Sequence, residues 1–350
     1  MRKHDSATGS GSEALRPGAP PSGSGLVLGA LGVLAFSFTL PATRLAVADL
    51  DGAVVGLGRA VVAAALAAVT LAVRGEPFPR RAHWPRLAVV SLGVVVGFPL
   101  FSALALRNVP ASHGAVIVGL LPAATAVMAA LRAGERPSLA FWISSFLGLL
   151  AVLAFAAALG AGRPQAADLL IFVAVLLGAL GYAEGGALSR ELGGWQVISW
   201  ALVLSAPVLG PVVALRAAVH GLSASPAAWV GFAYVALVSQ FLGFFAWYRG
   251  LALGGVARVG QLQLAQPVLT LLWSALLLRE RVTGPTVVAA AAVLLSAGLT
   301  QRARVHAVAG AGSRRDAPGE GPGAPSRSAP GPAAPPCGCP PPATGPSWHG

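Results

Sequence analysis

Charge is what this chain lacks most. Only 10% of its 350 residues are Asp, Glu, Lys or Arg, against roughly 25% in an ordinary soluble domain. Composition alone therefore places it in a membrane. Cysteine is nearly absent: Cys337 and Cys339 are the only two, in a Pro/Gly-rich tail, and a lone C-x-C there is weak ground for metal or redox work. No G-x-S-x-G, Walker A, H-E-x-x-H or C-x-x-C occurs, which removes the common signatures of hydrolysis, ATP coupling and thiol exchange. His113 has no second His, Cys or Asp at metal-ligand spacing. No metal and no cofactor is expected. The net charge of +12 does not point to nucleic acid, because the cations fall between apolar runs and in the tails rather than along a stripe interleaved with aromatics.

What is present is apolar length. Hydrophobic residues make up 55% of the chain and the mean hydropathy is +0.73. A membrane-spanning helix needs about 20 mostly apolar residues. Ten runs qualify, near 26–48, 53–73, 86–106, 112–132, 139–159, 169–189, 195–216, 227–248, 256–278 and 284–301. The first is too long for a signal-peptide core and reads as a retained span. Residues 1–24 and 302–350 are rich in Gly, Pro and Ser, cannot bury a core, and are expected to be disordered. Lys and Arg set the orientation. With both termini cytoplasmic, the outer segments hold only Arg44, Arg107, Arg163, Arg216, Arg279 and Arg281, and the inner ones hold the large remainder. The cytoplasmic membrane is the expected location.

The chain also repeats itself. "GLLPAATAVMAALRAGERPSLAFWISSFLGLL" matches "LAQPVLTLLWSALLLRERVTGPTVVAAAAVLL" at a shift of 145, superposing Pro122 on Pro267, Thr125 on Thr270, and Glu135-Arg136 on Glu280-Arg281. One residue further, Phe36 falls on Tyr182 and Arg44 on Arg190. Residues 25–160 and 168–301 then form two five-helix repeats. Five is odd, so the second lies upside down relative to the first. The expected fold is an all-α integral membrane protein of ten transmembrane helices in two inverted five-helix repeats, an arrangement that puts a solute site near the midplane between the halves.

Against this background few side chains can do chemistry. Glu184, in "GALGYAEGGALSREL", is the one acidic residue inside a span. A charge at a helix centre costs near 3 kcal/mol on insertion scales and marks a pathway or proton relay by default. Arg59 is the only cation well inside a span, placed by helical rise about 9 Å below the outer surface. A direct pair with Glu184, roughly 14 Å deeper by the same rise, is not expected. The ninth span carries Gln263, Gln266, Thr270 and Ser274 within about 80° of its surface, too polar a face for lipid. Gln240 shares a face of the eighth span with Gly243 and Trp247. Pro122 and Pro267 are paired helix breaks in corresponding spans, a pointer to a solute site.

The residues carry a resemblance. "GVLAFSFTLPATRLA", "GRAVVAAALAA", "LLPAATAVMAALRAGERPS" and "AQPVLTLLWSALLLRERVT" resemble, in order, stretches of the EamA type of the drug/metabolite transporter superfamily over roughly residues 25 to 301. The resemblance implies ten helices around a central cavity and secondary transport, often efflux of amino acids or other metabolites. "YAEGGALSR" is similar to the first span of small multidrug-resistance proteins. That similarity implies that Glu184 takes a role in which proton and cationic drug compete, and Tyr182, two residues before it, is a further candidate site residue. Those proteins use the acid symmetrically, whereas here Phe38 holds the position equivalent to Glu184.

The expectation is a secondary transporter, not an enzyme: a proton-coupled exporter of a small polar or amphipathic metabolite or amino acid. Its partners would be that small-molecule substrate, protons and the lipid bilayer, with a homodimer left open. A passive facilitator or exchanger is the alternative, and a polytopic membrane enzyme a more distant one.

Overall fold

A computed structural model of the protein describes residues 23–133, 138–159, 165–254 and 259–315. Among them every regular element is helical. The helices are α1 (Ser24–Ala46), α2 (Gly52–Arg74), α3 (Arg81–Ala105), α4 (Ala111–Arg132), α5 (Leu139–Leu159), α6 (Ala166–Leu192), α7 (Gly194–His220), α8 (Pro226–Gly254), α9 (Leu262–Leu277) and α10 (Gly284–Arg315). Seven are long and apolar enough to cross a bilayer; the apolar stretches of α5, α9 and α10 are 10–17 residues long. Seven of the ten spans expected are thus helices long and apolar enough to cross a bilayer, and the other three runs fall on α5, α9 and α10, whose apolar stretches are shorter. Two boundaries differ as well. The ninth run was expected from 256, but α9 opens on a 3-10 turn at Gln261–Leu264, and residues 255–258 lie outside the described set. The tenth does not stop at Gln301: α10 runs on to Arg315, into the segment expected to be disordered.

Local chemistry sets the helix ends. Asp51 caps α2, its carboxylate accepting from the N–H groups of Ala53 and Val54 at 3.1 and 3.2 Å. Gly75 ends that helix at φ +61°, a conformation that a Cβ disfavours. Ser225 accepts from Ala228 N–H at 3.3 Å with Pro226 at the first helical turn of α8. Glu280, beyond α9, caps α4 from outside: its two carboxylate oxygens take the N–H groups of Ala111 and Ser112, both at 2.8 Å. Its expected counterpart Glu135 lies outside the described residues.

Five helices depart from plain α geometry. The hydrogen bonding widens to a π-helical pattern over Ser91–Gly97 in α3 and Tyr234–Leu242 in α8. α1 is interrupted at Phe38, and α4 at Gly119–Leu120 just before Pro122. α9 changes from 3-10 to α geometry at Ala265, just before Pro267. A proline lacks the N–H that the preceding turn would use. Pro207 and Pro211, by contrast, sit inside an unbroken α7.

Packing follows small residues. α1 lies on α8 and α6 on α3; α2 packs on α7, and α5 on α10. At the first contact Gly25 and Gly29 face Gly250 and Gly254, so closely that a Cβ on Gly25 would stand 2.5 Å from Gly254 N. At the second, a Cβ on Gly93 would stand 2.6 Å from Gly181 Cα. Close backbone approach is how helices associate where the surrounding lipid is as apolar as the side chains. The remaining apolar surface faces outward: Val69, Val73, Phe146, Leu169, Val208 and Leu295 are all exposed, as a lipid-facing surface requires.

Candidate functional site

Between these helices lies a small cavity lined by Phe36 and Thr39 of α1, Arg59 of α2, Val94 and Phe98 of α3, Gly178 and Tyr182 of α6, Ser239 and Phe244 of α8, and Gln266 of α9. The space open to the centre of a water molecule is about 20 Å³, enough for a water or two. Arg59 is 2% exposed. Its Nε and Nη2 donate to Gln240 Oε1 at 3.0 and 2.8 Å, and Gln240 Nε2 donates to Val94 O at 3.1 Å. The π-helical turn of α8 presents Gln240, and that of α3 supplies the Val94 carbonyl. Thr39 and Ser239 share a hydrogen bond of 2.8 Å. The lining is also aromatic: the Phe36 ring stacks on Tyr182 at 6.1 Å and tilts against Phe244 at 4.9 Å, with Trp247 at 6.2 Å from Phe36.

The polar face of α9 points inward. Gln263, Gln266, Thr270 and Ser274 are buried, while Val268, Leu272 and Leu276 on the other side are exposed. Only Gln266 of the four lines the cavity. Thr270 instead secures the break in α1, its hydroxyl lying 2.8 Å from Ser37 O and 2.9 Å from Gln266 O. Trp273 Nε1 donates to Ser37 Oγ at 2.9 Å beside it. Gln263 Nε2 and Ser274 Oγ are buried with no hydrogen-bond partner among the described residues. The two expected breaks come together: the helix turn at Gly119, before Pro122, lies against Pro267.

Glu184 is 1% exposed but does not line this cavity. Nor is it a lone acid, as the sequence suggested. Arg86 at the start of α3 hydrogen-bonds to its Oε1, and the Arg132 guanidinium at the end of α4 contacts Oε2 without hydrogen-bond geometry. Arg86 also donates to Glu191 at 2.5 Å, and His83 stands 3.8 Å from the same carboxylate. The pairing is not visible in residue order because Arg86 and Arg132 stand at the ends of apolar runs, and only helical packing brings both onto α6. One arginine from α3 and one from α4 meet the same carboxylate, so Glu184 forms a clamp across three helices. Beyond the clamp, at the same end, a hollow of about 630 Å³ opens between Phe78, Arg80, His83, Glu191, Gln196 and Trp200.

Sequence reasoning named Arg59, Gln240, Gln266 and Tyr182 but not Phe36, Thr39, Phe98, Ser239 and Phe244 as lining groups. A signal was available: Phe98 and Phe244 stand at the same shift of 146 as Phe36 and Tyr182. A buried pair was also missed. His113 Nε2 meets Asp168 Oδ1 at 2.5 Å at the far ends of α4 and α6, with Asp168 also accepting from Gln165 N–H at 2.7 Å. Among the described residues, no group of three or more His, Cys, Asp or Glu could hold a metal ion.

Comparison with known proteins places this architecture. An uncharacterized transporter of Bacillus subtilis (strain 168), YdeK, is 45% identical over 279 residues, covering 80% of this chain and 97% of its own. A probable terminal-alkyne amino-acid exporter of Streptantibioticus cattleyicolor is 26% identical over 241 residues, 68% of this chain and 80% of its own. A solved crystal structure shares the fold at a TM-score of 0.56 and 18% identity, covering 79% of this chain and 98% of its own. The EamA-like transporter family matches twice, at residues 23–157 and again at 165–301. With a cavity seated between those two matched segments, the chain belongs to the EamA-like transporter family, within the drug/metabolite transporter superfamily.

Proposed function

We propose that the protein is a secondary active exporter of a small polar or amphipathic metabolite, of the amino-acid class, across the cytoplasmic membrane with both termini inside. The observation that carries this is the cavity. It is lined by both polar groups (Thr39, Arg59, Ser239 and Gln266) and aromatic ones (Phe36, Phe98, Tyr182 and Phe244), and built from both family segments. Several features support an inverted relation between those segments. The π-helical turns at Ser91–Gly97 and Tyr234–Leu242 overlap at the shift of 146, and the breaks before Pro122 and Pro267 correspond at 145. The packing of α1 on α8 becomes that of α6 on α3 when the halves are exchanged.

Alternating access requires two seals. At the end assigned to the cytoplasm the seal is ionic: Glu184 with Arg86 and Arg132. At the other end the equivalent of Glu184 is Phe38, stacked on Trp273 at 4.3 Å and tilted against Tyr234 at 5.7 Å. Proton coupling would act through the ionic seal. Protonating Glu184 cancels the charge that holds both arginines, so proton binding and opening of that end assist one another. A passive facilitator or exchanger would use the same cavity without this link.

The test is flux of labelled amino acids in proteoliposomes with and without an imposed pH gradient. Flux that rises with the gradient in wild type and ignores it in Glu184→Gln is the expected result. Flux following only the solute gradient in both proteins would establish the facilitator instead.

A further inference from the structure

Arg59 has a positive charge and no carboxylate to meet it. Its partner Gln240 is neutral, and no Asp or Glu among the described residues contacts it. A guanidinium has five N–H donors. Gln240 takes two of them, and no other hydrogen bond from Arg59 is formed within the described protein. A buried cation normally pairs with an anion because desolvation costs several kcal/mol. This one borders the cavity. The cavity's other polar lining groups, Thr39, Ser239, Tyr182 and Gln266, are all neutral, and none of its lining residues is acidic.

We propose that Arg59 is the anchor for an anionic group of the transported solute, and that Gln240 Oε1 holds the place of that group's oxygen while the cavity is closed. The inference rests on the transport reading above and adds the charge of the ligand. A planar guanidinium offers two parallel N–H bonds to a carboxylate, and Gln240 already engages it through Nε and Nη2, the edge a carboxylate would use. Gln240 sits in the π-helical turn of α8, a local geometry common at functional sites because its widened turn readily rearranges. Around the anchor the wall is made by Phe36, Tyr182 and Phe244. These rings suit an apolar or aromatic remainder, and their faces can receive an ammonium. The ligand class is a monocarboxylate with an apolar body, zwitterionic amino acids included.

The experiment is a thermal-shift titration of the purified full-length protein with phenylacetate, phenylacetamide, phenethylamine and L-phenylalanine, run with wild type, Arg59→Gln and Gln240→Glu. A ligand bound only by the folded state raises the melting temperature. Phenylacetate and L-phenylalanine are expected to stabilise wild type, and the amide and the amine are not. Arg59→Gln should weaken binding of the acids about tenfold or more, as loss of a charge-assisted pair does. Because that variant could fold poorly, Gln240→Glu supplies the second arm. It gives Arg59 a permanent internal carboxylate, so it should raise the melting temperature and still lose binding of the acids by about tenfold or more. Stabilisation by the amide or amine equal to that by the acids would overturn the assignment and leave a transporter intact. Unchanged binding of acids to Gln240→Glu would overturn it also. Absence of both stabilisation and proteoliposome flux with every probe would instead overturn the transport reading.

Discussion

Arg86 reaches Glu184 across 98 positions of chain and takes Glu191, about two turns further along the same face of α6, with the other arm of its guanidinium. Arg86 is 29% exposed and Arg132 46%, while Glu184 itself is 1% exposed. The acid is thus the buried member and its cations stand toward water. Glu184→Gln should then cost about 1–3 kcal/mol, below the 3–5 of a fully buried pair broken on one side, because both arginines can turn outward. A lower midpoint on heating in detergent, together with flux that no longer responds to a pH gradient, is expected. An unchanged midpoint would show that the clamp carries no energy.

The two seals should respond differently to salt. Exposed partners are screened within about 8 Å at physiological ionic strength and less at higher salt, whereas the stacking of Phe38 on Trp273 involves no net charge. Trp273→Ala should raise gradient-independent leak of solute in proteoliposomes at any salt. Arg132→Ala should do so most clearly at low salt, where the wild-type clamp is strongest. Equal salt dependence of leak in both variants would refute the division of the seals by chemistry.

Glycine substitutions separate packing from propensity. Gly93→Ala puts a methyl 2.6 Å from Gly181 Cα and from Leu177 O, which are backbone atoms that cannot turn aside, and should destabilise by about 1–3 kcal/mol. Gly210→Ala in α7 meets nothing within 4 Å and should be neutral or gain up to about 1 kcal/mol from helix propensity. The surviving monodisperse fraction after a heat step reads both, and equal losses would mean that α3 and α6 are not in backbone contact.

Asp51, between α1 and α2, supplies the pH dependence. Burial raises its pKa, but hydrogen bonds from Arg216 and Val54 N–H, with the charges of Arg216 and His220, outweigh that and leave it below its ordinary 3.8. A depressed carboxylate contributes stability above its unfolded value and loses it as pH falls through the folded one. Melting temperature should therefore fall as pH is taken below 3.8. Asp51→Asn keeps an oxygen for the cap and removes the charge, so its curve should be flatter over that window. Identical slopes would exclude Asp51 as a contributor.

Much of the architecture could be read from residue order because lipid leaves few choices: apolar runs must be helices, and a polar face such as Gln263 to Ser274 must turn inward. The repeated register also made Pro122 and Pro267 visible as a pair. Partnerships were harder to read. Arg59 and Gln240 were both singled out, yet nothing in their positions, 181 apart, announces that they bond. Arg86 and Arg132 looked like loop charges because only packing decides whether a terminal arginine points to water or across to α6. The π-helical turns left no mark, since a stretch such as Tyr234–Leu242, with Ser239 and Gln240 in it, reads equally well as part of a plain α-helix.

Glu184 and Phe38 align in the sequence repeat with opposite physical character, one held by two arginines and the other stacked on Trp273. In the proposed cycle electrolyte would act on the Glu184 end alone, since the Phe38–Trp273 stack carries no net charge. The preference of a resting molecule for one open face would then follow the medium bathing it as well as the solute it carries.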